Sequence, residues 1–318
     1  MTYSKIIGTG SYLPEKVLTN TDLEKIVDTT DEWILKRVGI KERHIASKSD
    51  TCSHMAHQAT LKALEAAAIT ADDLDMIIIG TATPDKLFPS AACLLQEKLD
   101  LKRPIPAFDL NAACSGFIYG LSIADNFIRT KHAKTILVVG AEALTRLVNW
   151  QDRSTCVLFG DGAGAVILQA SYEPGVISTS LHADGHYASL LWADNHLWEE
   201  SPQETIQMKG NEVFKVAVNT LGSMVDDALA GSGLSKANID WLIPHQANLR
   251  IIQAAAKKLE LPMERVILTV SEHGNTSAAS IPLALDYGIR KNIIKRGEVL
   301  FLEAFGAGFS WGSAVVRY

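Results

Sequence analysis

The sequence lacks the features that would mark a membrane, secreted or nucleic-acid-binding protein. Its longer apolar runs, such as Met76 to Ile79 and Val299 to Leu302, fall far short of the roughly 18 residues that a spanning helix requires. The start, M-T-Y-S-K, has no basic segment, apolar middle or small-residue cleavage site and runs directly into an Ile-Ile-Gly strand pattern, so a cytoplasmic location is expected. There are only four cysteines and no C-x-x-C pair, which speaks for reduced thiols rather than a disulfide framework. Basic charge is also in short supply: 30 Lys and Arg face 36 Asp and Glu, a net charge of −6 with a pI near 5.9. That balance argues against general nucleic-acid binding, and any acidic partner needs a local basic patch.

What is present is ordinary for a packed body, with 47% hydrophobic and 21% charged residues. The 318 residues exceed the roughly 250–300 at which a single core stops growing, so two core-bearing units or one duplicated unit are expected. The chain repeats itself. Ala63 to Ile78 (A-L-E-A-A-A-I-T-A-D-D-L-D-M-I-I) and Ala228 to Ile243 (A-L-A-G-S-G-L-S-K-A-N-I-D-W-L-I) match without a gap as helix end, turn and buried strand. Each continues into a helix (Ser90 to Leu99; Leu249 to Leu259), another strand, and a turn of small residues (Asn111 to Gly116; Gly274 to Ser280). T-I-L-V-V-G-A at Thr135 is answered by V-L-F-L-E-A-F at Val299, and Ala163 to Ala170 by Gly312 to Tyr318. The shared order predicts a duplicated α/β unit, residues 1–172 and 173–318, whose strands are covered by helices on both faces. Between the repeats, His182 to Gln207 contains Trp192, Trp198 and Pro202 without a clear period, which reads as an elaborated loop near a binding site or as a surface excursion.

Three polar side chains stand out. Cys114 lies in P-A-F-D-L-N-A-A-C-S-G-F-I-Y-G-L, where a strand ends at Leu110 and a helix is expected from Ser115. Unpaired N–H groups at a helix start favour thiolate over thiol, and Ala112, Ala113 and Gly116 leave room for a substrate. By itself the segment also fits an inert core cysteine. His245 follows the strand Trp241 to Ile243 in W-L-I-P-H-Q-A-N, at a carboxyl strand end, where open α/β sheets bind ligands. Asn275, in S-E-H-G-N-T-S-A-A-S-I-P, occupies in the second half the place of the Cys114 turn in the first, although asparagine beside glycine is also plain turn chemistry. Near the C-terminus, E-A-F-G-A-G-F-S-W-G sets Gly306 and Gly308 around Ala307. The Ala307 amide and that of Cys114 are candidates for an oxyanion hole, unless the turn is only a tight strand connection.

At these segments the chain resembles β-ketoacyl-acyl carrier protein synthase III, the initiating condensing enzyme of type II fatty-acid synthesis, over nearly its whole length. The carrying motifs are I-I-G-T-G-S-Y-L-P at Ile6, D-E-W-I at Asp31, F-P-S-A-A-C at Phe88, F-G-D-G-A-G-A at Phe159, G-N-E-V-F-K-V-A-V at Gly210, P-H-Q-A-N-L-R-I-I at Pro244 and H-G-N-T-S-A-A-S at His273. The family's final turn is often G-G-G, and Ala307 replaces its middle glycine here. The resemblance implies a thiolase-like fold with two duplicated halves in a layered αβαβα arrangement. It implies Cys114 as nucleophile, with His245 and Asn275 polarising a malonyl thioester. The acyl group would come from an acyl-CoA starter, acetyl-CoA first among them, and condense with malonyl-acyl carrier protein with loss of carbon dioxide. No cofactor and no metal are implied.

The same resemblance implies that Trp33 and Arg153 sandwich the adenine of coenzyme A with Arg37 near its phosphates. It implies that Phe159 and a partner-inserted Phe88 bound the acyl pocket of a homodimer, and that Lys215, Arg250, Lys257 and Lys258 dock the acidic carrier protein. Interface tryptophan, surface arginines and a plain core aromatic are the structural alternatives. A condensing enzyme of a secondary pathway is the nearest rival. A thiolase is disfavoured, since no second cysteine stands at A-F-G-A-G. Simple hydrolysis through a Cys–His pair and a noncatalytic binding module are the remaining classes. G-D-G-A-G at Gly160 precedes a strand rather than opening a helix, so it does not qualify as a dinucleotide loop. Cys52, His54 and His57 lack a fourth metal ligand.

Overall fold

A computed structural model describes residues 2–195 and 205–318. Trp198 and Pro202 of the central loop lie outside the described residues. Nine strands build two sheets: β1 (Tyr3–Tyr12), β2 (Met76–Gly80), β3 (Ala107–Leu110), β4 (Thr135–Ala143), β5 (Asp161–Ser171), β6 (Val176–Ala183), β7 (Trp241–Pro244), β8 (Val299–Gly306) and β9 (Ser310–Arg317). The main helices are α1 (Asp31–Val38), α2 (Cys52–Ala67), α3 (Ala91–Lys98), α4 (Gly116–Arg129), α5 (Gly210–Ser232), α6 (Leu249–Leu259) and α7 (Ser280–Arg290).

The first sheet runs β1-β5-β4-β2-β3 and the second β6-β9-β8-β7. In both, one central pair is antiparallel (β4 with β5, β8 with β9) and the next pair is parallel (β2 with β4, β7 with β8). The second sheet thus repeats the first with one strand fewer. At the place of β3 it has a single parallel bridge between Leu242 and Val266.

Alternation along the strands explains the layers. Met76 and Ile78 of β2, with Leu300 and Leu302 of β8, face a central core around α4 and α7. Their neighbours Ile77 and Ile79 face outward onto α2 and α3, and Phe301 faces onto the layer that contains α5 and α6. Strands covered on both sides have no polar face to offer, which is why they read as unbroken apolar runs. The result is an αβαβα stack. Thr51, Ser90 and Asn248 cap α2, α3 and α6 by accepting an N–H of the first turn. The turns before β2 and β7 share a capping box, Thr70 with Asp73 and Ser235 with Asn238. The region after β6 carries a 3-10 turn over Gly185–Leu190 and a short ribbon pairing Leu191–Trp192 with Gln207–Met208. Among the described residues no helix is long and apolar enough to cross a membrane.

Candidate active site

The two small-residue turns are built alike. Each ends in one 3-10 turn, Ala113–Ser115 before α4 and Ser277–Ala279 before α7. In each, an asparagine Oδ1 accepts the N–H two residues on: Asn111 from Ala113 at 3.0 Å, Asn275 from Ser277 at 2.9 Å. The accepting turn puts Ala113 (φ 45°) and Ser277 (φ 49°) in the left-handed region. The sequence predicts a helix from Ser115, and the α-helix starts one residue later, behind the 3-10 turn that holds Cys114.

Cys114, His245 and Asn275, which are distant in the chain, line one cavity of about 750 Å³. Cys114 is buried, 8% exposed, and its environment opposes ionisation. Burial pushes the thiol up to about 12, against the pull of the Ser277 hydroxyl and its own backbone N–H. This corrects the expectation that the helix start favours thiolate in the resting site. Such a terminus contributes about 0.3–1 kcal/mol, less than one pKa unit, and desolvation exceeds it.

His245 follows β7 and its N–H donates to the Glu303 carbonyl at 2.7 Å, which extends the parallel ladder by one step. Its Nδ1 is 2.7 Å from Ser280 Oγ. Burial depresses its pKa to about 4, so the ring is neutral near pH 7. Asn275 is fixed by its backbone: its N–H donates to Leu158 O at 2.8 Å and its carbonyl accepts from Gly160 at 3.0 Å. With Oδ1 taken by Ser277, the carboxamide has its Nδ2 hydrogens for the cavity.

Gly306 lies where β8 meets the Cys114 turn. A Cβ there would come within 2.7 Å of the Cys114 nitrogen, so only glycine lets the two backbones approach. Ser310 Oγ donates to Ala112 O at 2.9 Å and Ala307 O at 3.2 Å, and Ser115 Oγ to Ser310 O at 2.9 Å, which ties the two turns together. Ala307 itself stands just beyond the cavity lining. It is outside the positive-φ region that Gly308 adopts at 132°, so its methyl group carries no backbone strain.

Trp33, Arg37, Arg153, Phe159, Lys215 and Arg250 line the same cavity. The guanidinium carbons of Arg37 and Arg153 each sit 5.2 Å from the Trp33 ring centroid, and that of Arg250 lies 4.9 Å from Phe214. An aromatic ring held between Trp33 and Arg153 needs roughly 7 Å, twice the ~3.5 Å contact distance, so that slot is closed as it stands. Lys257 and Lys258 are exposed farther along α6, with Lys258 reaching toward Gly222 of α5. Phe88 is not part of the lining: it is 83% exposed beside Leu87 at 71%. Cys52 is a buried thiol donating toward Thr81 Oγ and Ala141 O, and no metal-binding group of three occurs among the described residues.

Several polar groups at the site went unread in the sequence. Ser280 bonds the His245 ring. Glu303, 5% exposed, lines the cavity, and burial pushes its carboxyl up to about 7. Glu142 lies behind Ser277. A lone glutamate in the apolar runs V-V-G-A-E-A and L-F-L-E-A-F was the available signal.

Comparison with known proteins identifies a family. Residues 108–185 match the family described as 3-oxoacyl-(acyl-carrier-protein) synthase III, and residues 229–318 match its C-terminal domain. A β-ketoacyl-(acyl-carrier-protein) synthase III of Alkalilimnicola ehrlichii is 58% identical across the full length of both chains. One from Xanthomonas axonopodis pv. citri is 60% identical over 99% of this chain and 98% of its own. The crystal structure of the Aquifex aeolicus 3-oxoacyl-(acyl-carrier-protein) synthase III superposes with a TM-score of 0.94 at 50% identity, covering 99% of this chain and all of that one. With relatives this similar along its whole length, the chain belongs to the 3-oxoacyl-(acyl-carrier-protein) synthase III family of condensing acyltransferases.

Proposed function

We propose that Cys114 takes an acyl group from an acyl-CoA starter, acetyl-CoA in the first instance, and that His245 and Asn275 then drive its decarboxylative condensation with malonyl-acyl carrier protein. The product is a 3-oxoacyl-acyl carrier protein, the first condensation of fatty-acid synthesis. The observation that carries this reading is the meeting of three side chains from distant segments in one cavity. Loss of carbon dioxide leaves an enolate, whose oxygen needs hydrogen-bond donors already in place. Asn275 offers Nδ2, and a neutral His245 whose Nδ1 accepts from the Ser280 hydroxyl offers Nε2–H. The enolate carbon attacks the acyl-cysteine, and the amides of Cys114 and Ala307 are assigned to the tetrahedral oxyanion.

In this reading Trp33 and Arg153 open to admit the adenine, and Arg37 meets the phosphates. Lys215, Arg250, Lys257 and Lys258 form the basic patch for the acidic carrier protein, which the negative total charge requires to be local. The exposed pair Leu87 and Phe88 supports a homodimer in which Phe88 closes the partner's acyl pocket opposite Phe159. Coenzyme A enters as the carrier of the substrate, and no step calls on a cofactor or metal. The test is product analysis with purified chain, acetyl-CoA and malonyl-acyl carrier protein. Acetoacetyl-acyl carrier protein is expected, and release of free acetate alone would replace condensation by hydrolysis.

A further inference from the structure

The proposed mechanism makes no use of Glu142, yet this carboxylate is one side chain away from the nucleophile. It lies in β4 without solvent exposure. It accepts from the Ala82 N–H at 3.2 Å to each oxygen, from Thr83 Oγ at 2.6 Å, from Thr81 Oγ at 3.4 Å and from Ser277 Oγ at 3.1 Å. Thr83 Oγ in turn accepts the Ala143 N–H at 2.8 Å, and Thr81 Oγ the Thr83 N–H at 3.0 Å, so both hydroxyl hydrogens are available to the carboxylate. Four donors with no cation among them describe a nest for a buried anion.

Ser277 differs from the other donors because its hydroxyl has two clients. It bonds Glu142 Oε1, and it is the group that most strongly holds the Cys114 thiol down against burial, while the Glu142 charge pushes that thiol up. The 3-10 turns that hold Cys114 and Ser277 pack against each other, so thiol and carboxylate have the Ser277 hydroxyl as a common neighbour. Passing the thiol proton across keeps one buried negative charge, whereas losing it to solvent makes two. The other titratable groups packed around Glu142 are Cys52, whose thiol donates to Thr81, and Asp85 and Asp109 beyond it. Their carboxylates are engaged by Ser53 and by the Ala91 and Ala92 amides.

We propose that Cys114 and Glu142 share one proton through the hydroxyl of Ser277, so that Glu142 stores the proton while the sulfur carries the acyl group. The proposal rests on Cys114 being the nucleophile. Cys114 S–H gives its proton to Ser277 Oγ as Ser277 passes its own to Glu142. The thiolate bonds to the thioester carbonyl carbon, and coenzyme A leaves as a thiolate that takes a proton from water. In the second half-reaction the decarboxylated malonyl carbon bonds to the acyl carbon and the sulfur–carbon bond breaks. The freed sulfur electron pair then recovers the stored proton by the reverse route. One solvent proton is consumed per turnover, as loss of carbon dioxide from a carboxylate demands. Glu142 is here a positioning residue that acts through Ser277.

The full chain carrying Cys93→Ser, which removes the exposed thiol, is alkylated with iodoacetamide from pH 6 to 9.5 and modification of Cys114 is followed by mass spectrometry. A thiol–carboxylate pair sharing a proton reacts in proportion to its singly deprotonated form. The rate is therefore expected to rise about tenfold per pH unit below about 7 and to flatten above it. Glu142→Gln and Ser277→Ala are each expected to abolish the plateau, leaving a tenfold rise per unit throughout. A parental rate that keeps climbing to pH 9.5, or a plateau that survives either variant, overturns the proposal. Should Glu142→Gln fail to fold, Ser277→Ala decides alone. Acyl-CoA labelling of Cys114 in the parent is measured alongside: labelling present with the wrong pH profile sinks the relay and spares the nucleophile.

Discussion

His245 Nδ1 lies 2.7 Å from the hydroxyl of Ser280, and this pair occupies in the second half the place where the first half sets Gly80 against Gly116. The ungapped match of 63–78 with 228–243 carries Gly80 onto His245, and the match of the two turns carries Gly116 onto Ser280. A Cβ on Gly80 would come within 2.7 Å of the Gly116 carbonyl carbon, so the first crossing of strand end and helix start is a bare backbone contact. In the second half, a ring and a hydroxyl occupy the same crossing.

Ser280→Ala removes the partner that fixes the ring's tautomer. Decarboxylation of malonyl-acyl carrier protein is expected to fall by roughly one to two orders of magnitude, while acyl transfer to Cys114 continues. Separate assays of the two half-reactions check this, and undiminished decarboxylation would remove Ser280 from the mechanism.

Gly306 and Ala307 are expected to respond in opposite ways. Gly306→Ala forces a methyl group against the Cys114 backbone and is expected to cost about 1–3 kcal/mol of stability together with loss of acylation. Ala307→Gly changes only chain entropy, by at most about 1 kcal/mol, and is expected to leave acylation intact because the proposed donor is the backbone N–H. Urea unfolding and acyl labelling of both variants decide.

Glu303 makes stability depend on pH with a definite sign. Burial raises its folded pKa to about 7 from the ordinary 4.5, so between those values the folded chain keeps a proton which the unfolded chain has already released. That contribution is complete below about 4.5 and is lost as pH rises through 7. Glu303→Gln removes this dependence, so relative to the parent it is expected to gain up to about 3 kcal/mol between pH 5 and 8. Urea midpoints at the two pH values measure it, and a parallel shift of both proteins would contradict it.

Reversing charge at the mouth, Arg250→Glu, is expected to raise KM for the carrier protein about three- to tenfold at low salt, and less as salt screens the pair. Unchanged KM at low ionic strength would count against docking on α6.

How much of this was readable in the sequence follows from what each residue packs against. The strands announced themselves because both faces are covered, and Cys114, His245 and Asn275 because small residues and strand ends surround them. Ser280 closes the H-G-N-T-S-A-A-S segment, yet a serine at a helix start reads as turn chemistry until the ring beside it is seen. Glu142 and Glu303 interrupt apolar runs, a signal that was present, but the partners of Glu142 come from elements far away in sequence and the depth at which Glu303 is buried is set by the fold. Arg43 had no signal at all. It is fully buried, donating to the carbonyls of Leu18 and Val157 and to Asn20, a pattern that only the fold assembles. The thiolate expectation failed on magnitude, because local helix geometry is visible in a sequence and the depth of burial is not.

The most direct measurement is intact-protein mass spectrometry after exposure to acetyl-CoA, comparing the parent with Cys114→Ala, His245→Ala and Asn275→Ala. The expected result is one acetyl group on the parent and on the His245 and Asn275 variants, and none on Cys114→Ala. A stoichiometric acetyl group on Cys114→Ala would contradict the assignment of the nucleophile, and with it the mechanism built around that sulfur.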